Sequence, residues 1–249
     1  MQSTYIGVRG HRGSGKPTVS YLLAGTIDWY VKNRIFDESF DEYYDDLVND
    51  IHNNPDDFIS ERAFDYVYLE SFSDSQRVMC SMFLGVDIDL LYNTYTKENM
   101  VVVLDTLEVR DIIDGDVTVT AEDKLSGNKG NLMTLSEFCT YMSLGMQRLI
   151  NPDFWIQSLD KHMSTGTPFK IFYDVKLPNE VTYILNHDGY IIRSVRPGHD
   201  KAKTSLSSKL DGDKRIDFEV SISGDDMTTC REDLKEITQL IVDGHMALD

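Results

Sequence analysis

The sequence predicts an α/β protein in which a parallel sheet carries helices on both faces. Three observations point there. Strand-like and helical runs alternate along the chain, FKIFYDV (169–175) is a short continuous apolar run of the kind a buried parallel strand produces, and TYIGVR (4–9) passes through a glycine turn straight into a helical pattern. With 249 residues, 41% of them hydrophobic, the chain is long enough to bury a sizeable core.

The elements follow in order. TYIGVR is the first strand, and the pattern from Val19 through Trp29 and Tyr30 is the helix after the glycine turn. YVYLE (66–70) reads as a second strand, and SDSQRVMCSMFLG opens on cap-type residues, carries an apolar stripe and stops at Gly85. VVVLD (101–105) is strand-like, and DVTVTAEDKLSGNKGNLM has the Gly and Asn content of a hairpin or loop. Thr134 with Glu137 three places later predicts a capping box at the head of TLSEFCTYMSLGMQRLI. Asn151-Pro152 starts the helix PDFWIQSLDKHM, whose Phe154 and Trp155 fit a core stripe better than a base-stacking platform. After FKIFYDV come a helix closed by Gly189, the strands YIIRSVR and DFEVSI (217–222), and a final helix, MTTCREDLKEITQLIVDG.

Charge excludes one class of partner. The net charge of -18 opposes association with nucleic-acid phosphate, so direct nucleic-acid binding is not expected. Ten Asp or Glu and no Lys or Arg fall within residues 37–61, where Phe and Tyr recur at helical spacing. That pattern fits a solvated amphipathic helix or pair of helices, with a basic protein partner as the other reading of the segment. Cys80, Cys139 and Cys230 are far apart in sequence and show no metal-ligand spacing with the six histidines, so they read as reduced and structural. No apolar run reaches the roughly 18 to 20 residues that span a bilayer, and a cytoplasmic protein without a membrane partner is expected.

The chemistry begins at GHRGSGKPT (10–18). In a phosphate loop the glycines let the backbone curl so that successive N–H groups face one anion, and the following helix adds the positive end of its dipole. Gly10, Gly13 and Gly15 supply the permissive positions, Arg12 lies among them, Ser14 supplies a hydroxyl and Lys16 the charge; Gly10-x4-Gly15-Lys16 has the Walker spacing. Pro17 fits the first turn of a helix but removes one N–H donor. The hydroxyl that ordinarily follows the Lys and ligates Mg²⁺ is displaced by one, to Thr18.

DVKLPNE (174–180) places Asp174 and Lys176 at the C-terminal edge of a buried strand, where open α/β sheets bind ligands, and Glu180 a helical turn beyond. Two readings stay open. Asp174 holds a Mg²⁺ shell or orients an attacking oxygen, or else it caps the next helix while Glu180 is solvated. Arg77, Arg148, Arg193 and Arg196 are the cations near such edges that could meet spreading phosphoryl charge.

Four stretches in order, GHRGSGKPT, ESFSDSQRVMCSMFLG, SLGMQRLINPDFWIQSL and FYDVKLPNEVTYILNHDGYIIRSVRPG, resemble the deoxynucleoside monophosphate kinases of tailed bacteriophages, P-loop relatives of adenylate kinase. The resemblance spans most of the chain. It implies one three-layer P-loop kinase domain over 1–249 with an acidic helical insertion at about 37–61, a mixed acceptor-side region at about 86–133 and a lid at about 197–212. It further implies transfer of the ATP γ-phosphoryl, with Mg²⁺, to a deoxynucleoside monophosphate in the host cytoplasm, giving ADP and the diphosphate.

By that resemblance the turn from Gly10 to Thr18, with Arg196, binds ATP phosphates; Lys16, Asp174 and Arg148 are catalytic; Thr18 and Asp174 hold the metal, directly or through water. Arg77, Trp155, Lys176 and Glu180 face the acceptor. The departures are Pro17 where the family has Asp, Lys176 where it has Arg, and SLGMQR in place of a Leu-Gly-Thr-Glu pattern. Lys cannot form the bidentate fork of Arg on a phosphate. The alternative is a degenerate nucleotide-binding or interaction protein on the same fold, without turnover. Whether the chain forms a homodimer is left open.

Overall fold

β1 (Thr4–Arg9) is the middle strand of a five-stranded sheet that also contains β2 (Val67–Glu70), β6 (Phe169–Val175), β7 (Tyr190–Val195) and β8 (Phe218–Ser221), in the computed structural model of the chain. The spatial order is β2-β6-β1-β7-β8 and every neighbouring pair is parallel. The structure describes residues 3–55, 58–60, 62–93, 97, 99–103, 108–111, 132–163, 166–198, 210, 212–223 and 227–247. Two compact units divide the chain: Met1–Phe72 with His162–Asp249, and Ser73–Lys161.

In the first unit both faces of the sheet are buried, which is why its strands read as near-continuous apolar runs. Ile6 and Val8 of β1 and Phe169 and Ile171 of β6 join one core with α1 (Lys16–Asn33), α2 (Glu38–Asn53) and α8 (Thr228–Met246). Full burial of a side chain such as Leu22 or Ile27 contributes roughly 1.5–3 kcal/mol, so this core dominates the unit's stability. On the opposite face α7 (Pro178–Leu185) packs against β1 and β7, and Tyr5, Phe72, Phe172 and Tyr183 form an aromatic cluster. Helices therefore lie on both faces, as the alternation of strands and helices predicts.

The acidic segment supplies one of those helices. Asp37 caps α2, its side chain accepting from Phe40 N at 3.3 Å, and Phe40, Tyr44, Leu47 and Ile51 are buried. The apolar spacing is thus a core-facing stripe, while a short 3₁₀ turn, Phe58–Ser60, follows. Crossing connections set the topology. Counted by their order along the chain, the five strands run 2-3-1-4-5, so the chain places later strands first on one side of β1 and then on the other. The carboxyl end of β1 is the switch point, the place where open α/β sheets present a crevice to ligands.

The second unit contains α3 (Asp74–Leu84), α4 (Asp89–Tyr92), β3 (Met100–Val103), β4 (Glu108–Asp111), β5 (Leu132–Thr134), α5 (Leu135–Leu149) and most of α6 (Phe154–His162). Its sheet is antiparallel, in the order β4-β3-β5. Of the strand-like run at 101–105, the described residues 101–103 belong to this sheet rather than to the parallel one. Of the stretch 116–133 read as a hairpin or loop, only Leu132 and Met133 lie among the described residues, and both are in β5. The capping box at Thr134 forms in both directions, at 3.0 and 3.1 Å. No helix among the described residues is long and apolar enough to cross a membrane.

Candidate functional site

β1 ends at Arg9 and α1 begins at Lys16, so six residues make the whole turn between them. Gly10, Gly13 and Gly15 all take the positive φ that favours glycine. Gly10 has φ 157° and a Cβ there would press on Ser14 Oγ and, at 2.5 Å, on Ser194 O. Gly15 has φ 82°, and its absent Cβ leaves room for Ile222 Cδ1. The loop is braced from within and from β7: Ser14 N donates to His11 O at 3.1 Å, and Ser194 Oγ donates to Ser14 O at 2.5 Å. Ser14 Oγ is buried with no hydrogen-bond partner among the described residues. A buried hydroxyl in that state costs free energy and is ready to donate to an anion.

Lys16 folds back over the turn, its Nζ donating to Gly10 O and His11 O at 2.9 Å each. Burial, then the charge of Lys176, lowers its pKa to about 8, with Asp174 pulling the other way. Pro17 occupies the first turn of α1, as its missing N–H allows, and Thr18 is half-buried one residue further on. α1 has no acidic residue in its first turn and no side-chain cap, which leaves the positive end of its dipole uncompensated by the helix itself.

Asp174, near the end of the neighbouring strand β6, is buried and held on three sides. Its Oδ1 accepts from Phe72 N at 2.8 Å, and its Oδ2 from Ser71 Oγ at 2.7 Å and Lys176 Nζ at 3.2 Å. It does not cap α7, whose N-cap is Leu177. Glu180 is not solvated either. Its Oε2 accepts from Lys176 N at 2.6 Å and Leu177 N at 2.9 Å, so it reaches back to tie the β6–α7 turn. Burial, then the neighbouring Asp174, raises its pKa to about 7 against the opposing effect of those N–H groups and Lys176.

Arg9 and Arg215 add a further support. Buried Arg9 donates to Asp213 O at 3.1 Å and to Leu210 O, while Arg215 pairs with the Asp213 carboxylate and donates to Thr182 Oγ1 at 2.7 Å. That pairing holds the Asp213 carboxyl down at about 2. Leu210, Asp213 and Arg215 are thereby fastened to the end of β1 and to α7. Of the segment 197–212 read as a lid, only 197, 198, 210 and 212 are among the described residues.

Lys16, in the turn that also holds Gly10, Gly13, Ser14 and Gly15 and is followed by Thr18, is in electrostatic reach of Asp174 and Lys176, and Glu180 of Asp174. Arg12 is an exposed member of the turn, and Arg196 follows β7 directly, half-buried. Arg193 pairs with Glu219 at 3.4 Å on the neighbouring strand. Arg77, Arg148 and Trp155 belong to the second unit. Arg77 pairs with Asp74 at 2.6 Å and stacks over Tyr92 at 4.5 Å; Arg148 is exposed in the last turn of α5. Trp155 is buried, its Nε1 donating to Ser143 O at 3.2 Å, in keeping with a core residue. Ser71, Ser194 and Arg9 escaped the sequence reading. Their role depends on which strands are neighbours, which TYIGVR, ESFSDSQRVMCSMFLG and YIIRSVR do not disclose by themselves.

Among the described residues no group of three or more His, Cys, Asp or Glu is placed to hold a metal ion. Mg²⁺ seldom requires one, since it keeps waters and takes one or two carboxylates plus substrate phosphates. Fold and turn together define an α/β protein with a glycine turn at a sheet switch point. Comparison with known protein families and with curated proteins finds no match for the chain.

Proposed function

We propose that the chain is a P-loop kinase that transfers the ATP γ-phosphoryl to the 5′-phosphate of a deoxynucleoside monophosphate, in phage nucleotide metabolism. One observation carries the reading: a glycine turn with Walker spacing leaves the middle strand at the switch point, with Lys16 in electrostatic reach of Asp174 and Lys176. The acceptor class comes from the resemblance, as do the acceptor-side roles of Arg77, Arg148 and Trp155.

Phosphoryl transfer is mostly positioning and charge stabilisation, so the cradle has little covalent work to do. The backbone of residues 10–16 and the head of α1 receive the phosphates. Lys16 exchanges two neutral carbonyl acceptors for phosphate oxygens, which restores a strong preference for its charged form. Mg²⁺ bound with ATP neutralises charge on the phosphoryl oxygens. Thr18 and Asp174 are the residues to hold it, Asp174 through water because its oxygens already accept from Ser71, Phe72 and Lys176.

The test is ADP production from ATP and Mg²⁺ with each of the four deoxynucleoside monophosphates, with Lys16→Ala as the control. Turnover that vanishes in the variant is expected; full turnover in Lys16→Ala overturns the assignment. Pro17 and Lys176 motivate a second reading, a degenerate nucleotide-binding or interaction protein, which predicts folded protein without turnover on any acceptor.

A further inference from the structure

β7 carries a serine at a position whose neighbours are apolar. Side chains two apart on a strand share a face, and Ile192, two residues before Ser194, lies in the core of the first unit with Ile6, Leu22 and Val220. Ser194 is 2% exposed. A hydroxyl buried beside such a layer costs free energy unless it is bonded, and this one donates to Ser14 O at 2.5 Å, across to the turn that follows β1. The contact is double, because Ser194 O lies against Gly10 where any Cβ would sit.

We propose that Ser194 is a positioning residue that aims Gly15 N–H at a bound phosphate, an inference that rests on the reading of the turn as a phosphate loop. The C=O and N–H of a trans peptide point in opposite directions, and every described peptide bond is trans. With Ser14 O held toward β7, Gly15 N–H points away from that strand. Gly15 is half-buried, and among the described residues no acceptor within the chain takes its N–H. Its φ of 82° is open to glycine, so the turn keeps this peptide orientation without a side chain in the way.

The turn has few such donors. Ser14 N already donates to His11 O, and Pro17 has no N–H, so within residues 13–17 at most Gly13, Gly15 and Lys16 are left to offer one. Gly15 is the one whose direction a neighbouring strand sets. Ser14 Oγ, buried without a hydrogen-bond partner among the described residues, stands beside Gly10 inside the same turn as a side-chain donor. Removing the Ser194 hydroxyl frees the 14–15 peptide to rotate, and its N–H is then misdirected for part of the time. The loss expected is the net worth of one hydrogen bond, about fivefold in affinity. A serine with a structural role alone would lower stability when replaced and leave affinity unchanged.

The experiment titrates pyrophosphate into the full chain, with affinity read by calorimetry and the Gly15 amide by NMR. Labelling with carbonyl-¹³C serine and ¹⁵N glycine selects the amides of the three Ser–Gly pairs, 14–15, 126–127 and 223–224, and Ser126→Ala and Ser223→Ala identify the other two. In wild type, pyrophosphate is expected to move the Gly15 amide downfield. In Ser194→Ala, shown to be folded by circular dichroism, the dissociation constant is expected to rise about fivefold. Wild type that binds pyrophosphate with the Gly15 amide unmoved overturns this inference and leaves the phosphate-loop reading standing, as does equal affinity in folded Ser194→Ala. Wild type that binds no pyrophosphate overturns both. The wild-type titration puts the inference at risk even where the variant fails to fold.

Discussion

Glu180→Gln isolates the contribution of one buried carboxyl to stability. Glu180 accepts from Lys176 N and Leu177 N through a single oxygen, so a Gln at this position keeps that acceptor, exchanges the second oxygen for an amide NH2 and loses the ability to ionise. Burial and then Asp174 place the folded-state pKa at about 7, above the ordinary value of 4.5. A carboxyl raised in this way contributes stability that is fully present below the unfolded-state pKa and is lost as pH rises through the folded-state one. At about 1.36 kcal/mol per pKa unit, the gap between 4.5 and 7 corresponds to about 3 kcal/mol, of which about 2 to 3 kcal/mol is lost between about pH 5 and about pH 8. Chemical denaturation of both proteins at a series of pH values reads this out. The unfolding free energies of wild type and variant are expected to diverge in favour of the variant as pH rises, while titrations of groups remote from Glu180 cancel in the difference. Parallel curves, with a difference that changes by less than about 1 kcal/mol across that range, would show that Glu180 is ionised in the folded chain like an ordinary carboxyl.

Other substitutions probe the cradle and its supports. Gly10→Ala places a methyl group against Ser194 O and Ser14 Oγ, and is expected to cost roughly 1–3 kcal/mol in denaturant and to weaken ATP binding measured by calorimetry. Asp174→Asn leaves only one acceptor oxygen for Ser71, Phe72 and Lys176; a loss of roughly 1–3 kcal/mol of stability is expected, together with loss of Mg²⁺-dependent turnover. Pro17→Asp restores a backbone N–H at the head of α1 and is expected to tighten ATP binding several-fold, roughly the worth of one charge-assisted hydrogen bond; an unchanged affinity speaks against Pro17 as a handicap.

The sequence makes some of this legible because local chemistry determines it. The strand at residues 4–9, the glycine turn and α1 are visible in a change from continuous apolar residues to helical spacing. The Thr134 box needs only its own four residues, and it forms where expected. Neighbourhood in the sheet is another matter. Met100–Val103 looks like any short apolar strand, and nothing local says that it belongs to an antiparallel sheet in the second unit. Ser71 is one serine among several until β2 is known to lie beside β6, which brings it to Asp174. Glu180 hides for a subtler reason: the capping-box pattern is sought behind Ser, Thr, Asp or Asn, and here the N-cap is Leu177. Charge in the acidic segment advertises solvent, whereas the four buried apolar residues of α2 determine where that helix packs.

The strand order also dictates when the protein can finish folding. β1 and β2 are made first, yet they are not neighbours, because β6 lies between them. Val67 pairs with Phe169, so β2 must wait for about 100 further residues, roughly 5–20 s of synthesis at about 5–20 residues per second. Until then the nascent chain carries two apolar strands whose facing edges have no partner, the state in which strands recruit other chains. Arrival of FKIFYDV fills the slot from both sides at once, joining Thr4 and Val67 to the same residue, Phe169. The β2-β6-β1 half of the sheet is therefore expected to lock late and in one step, with β6 as the key, before β7 and β8 are added on the other side of β1.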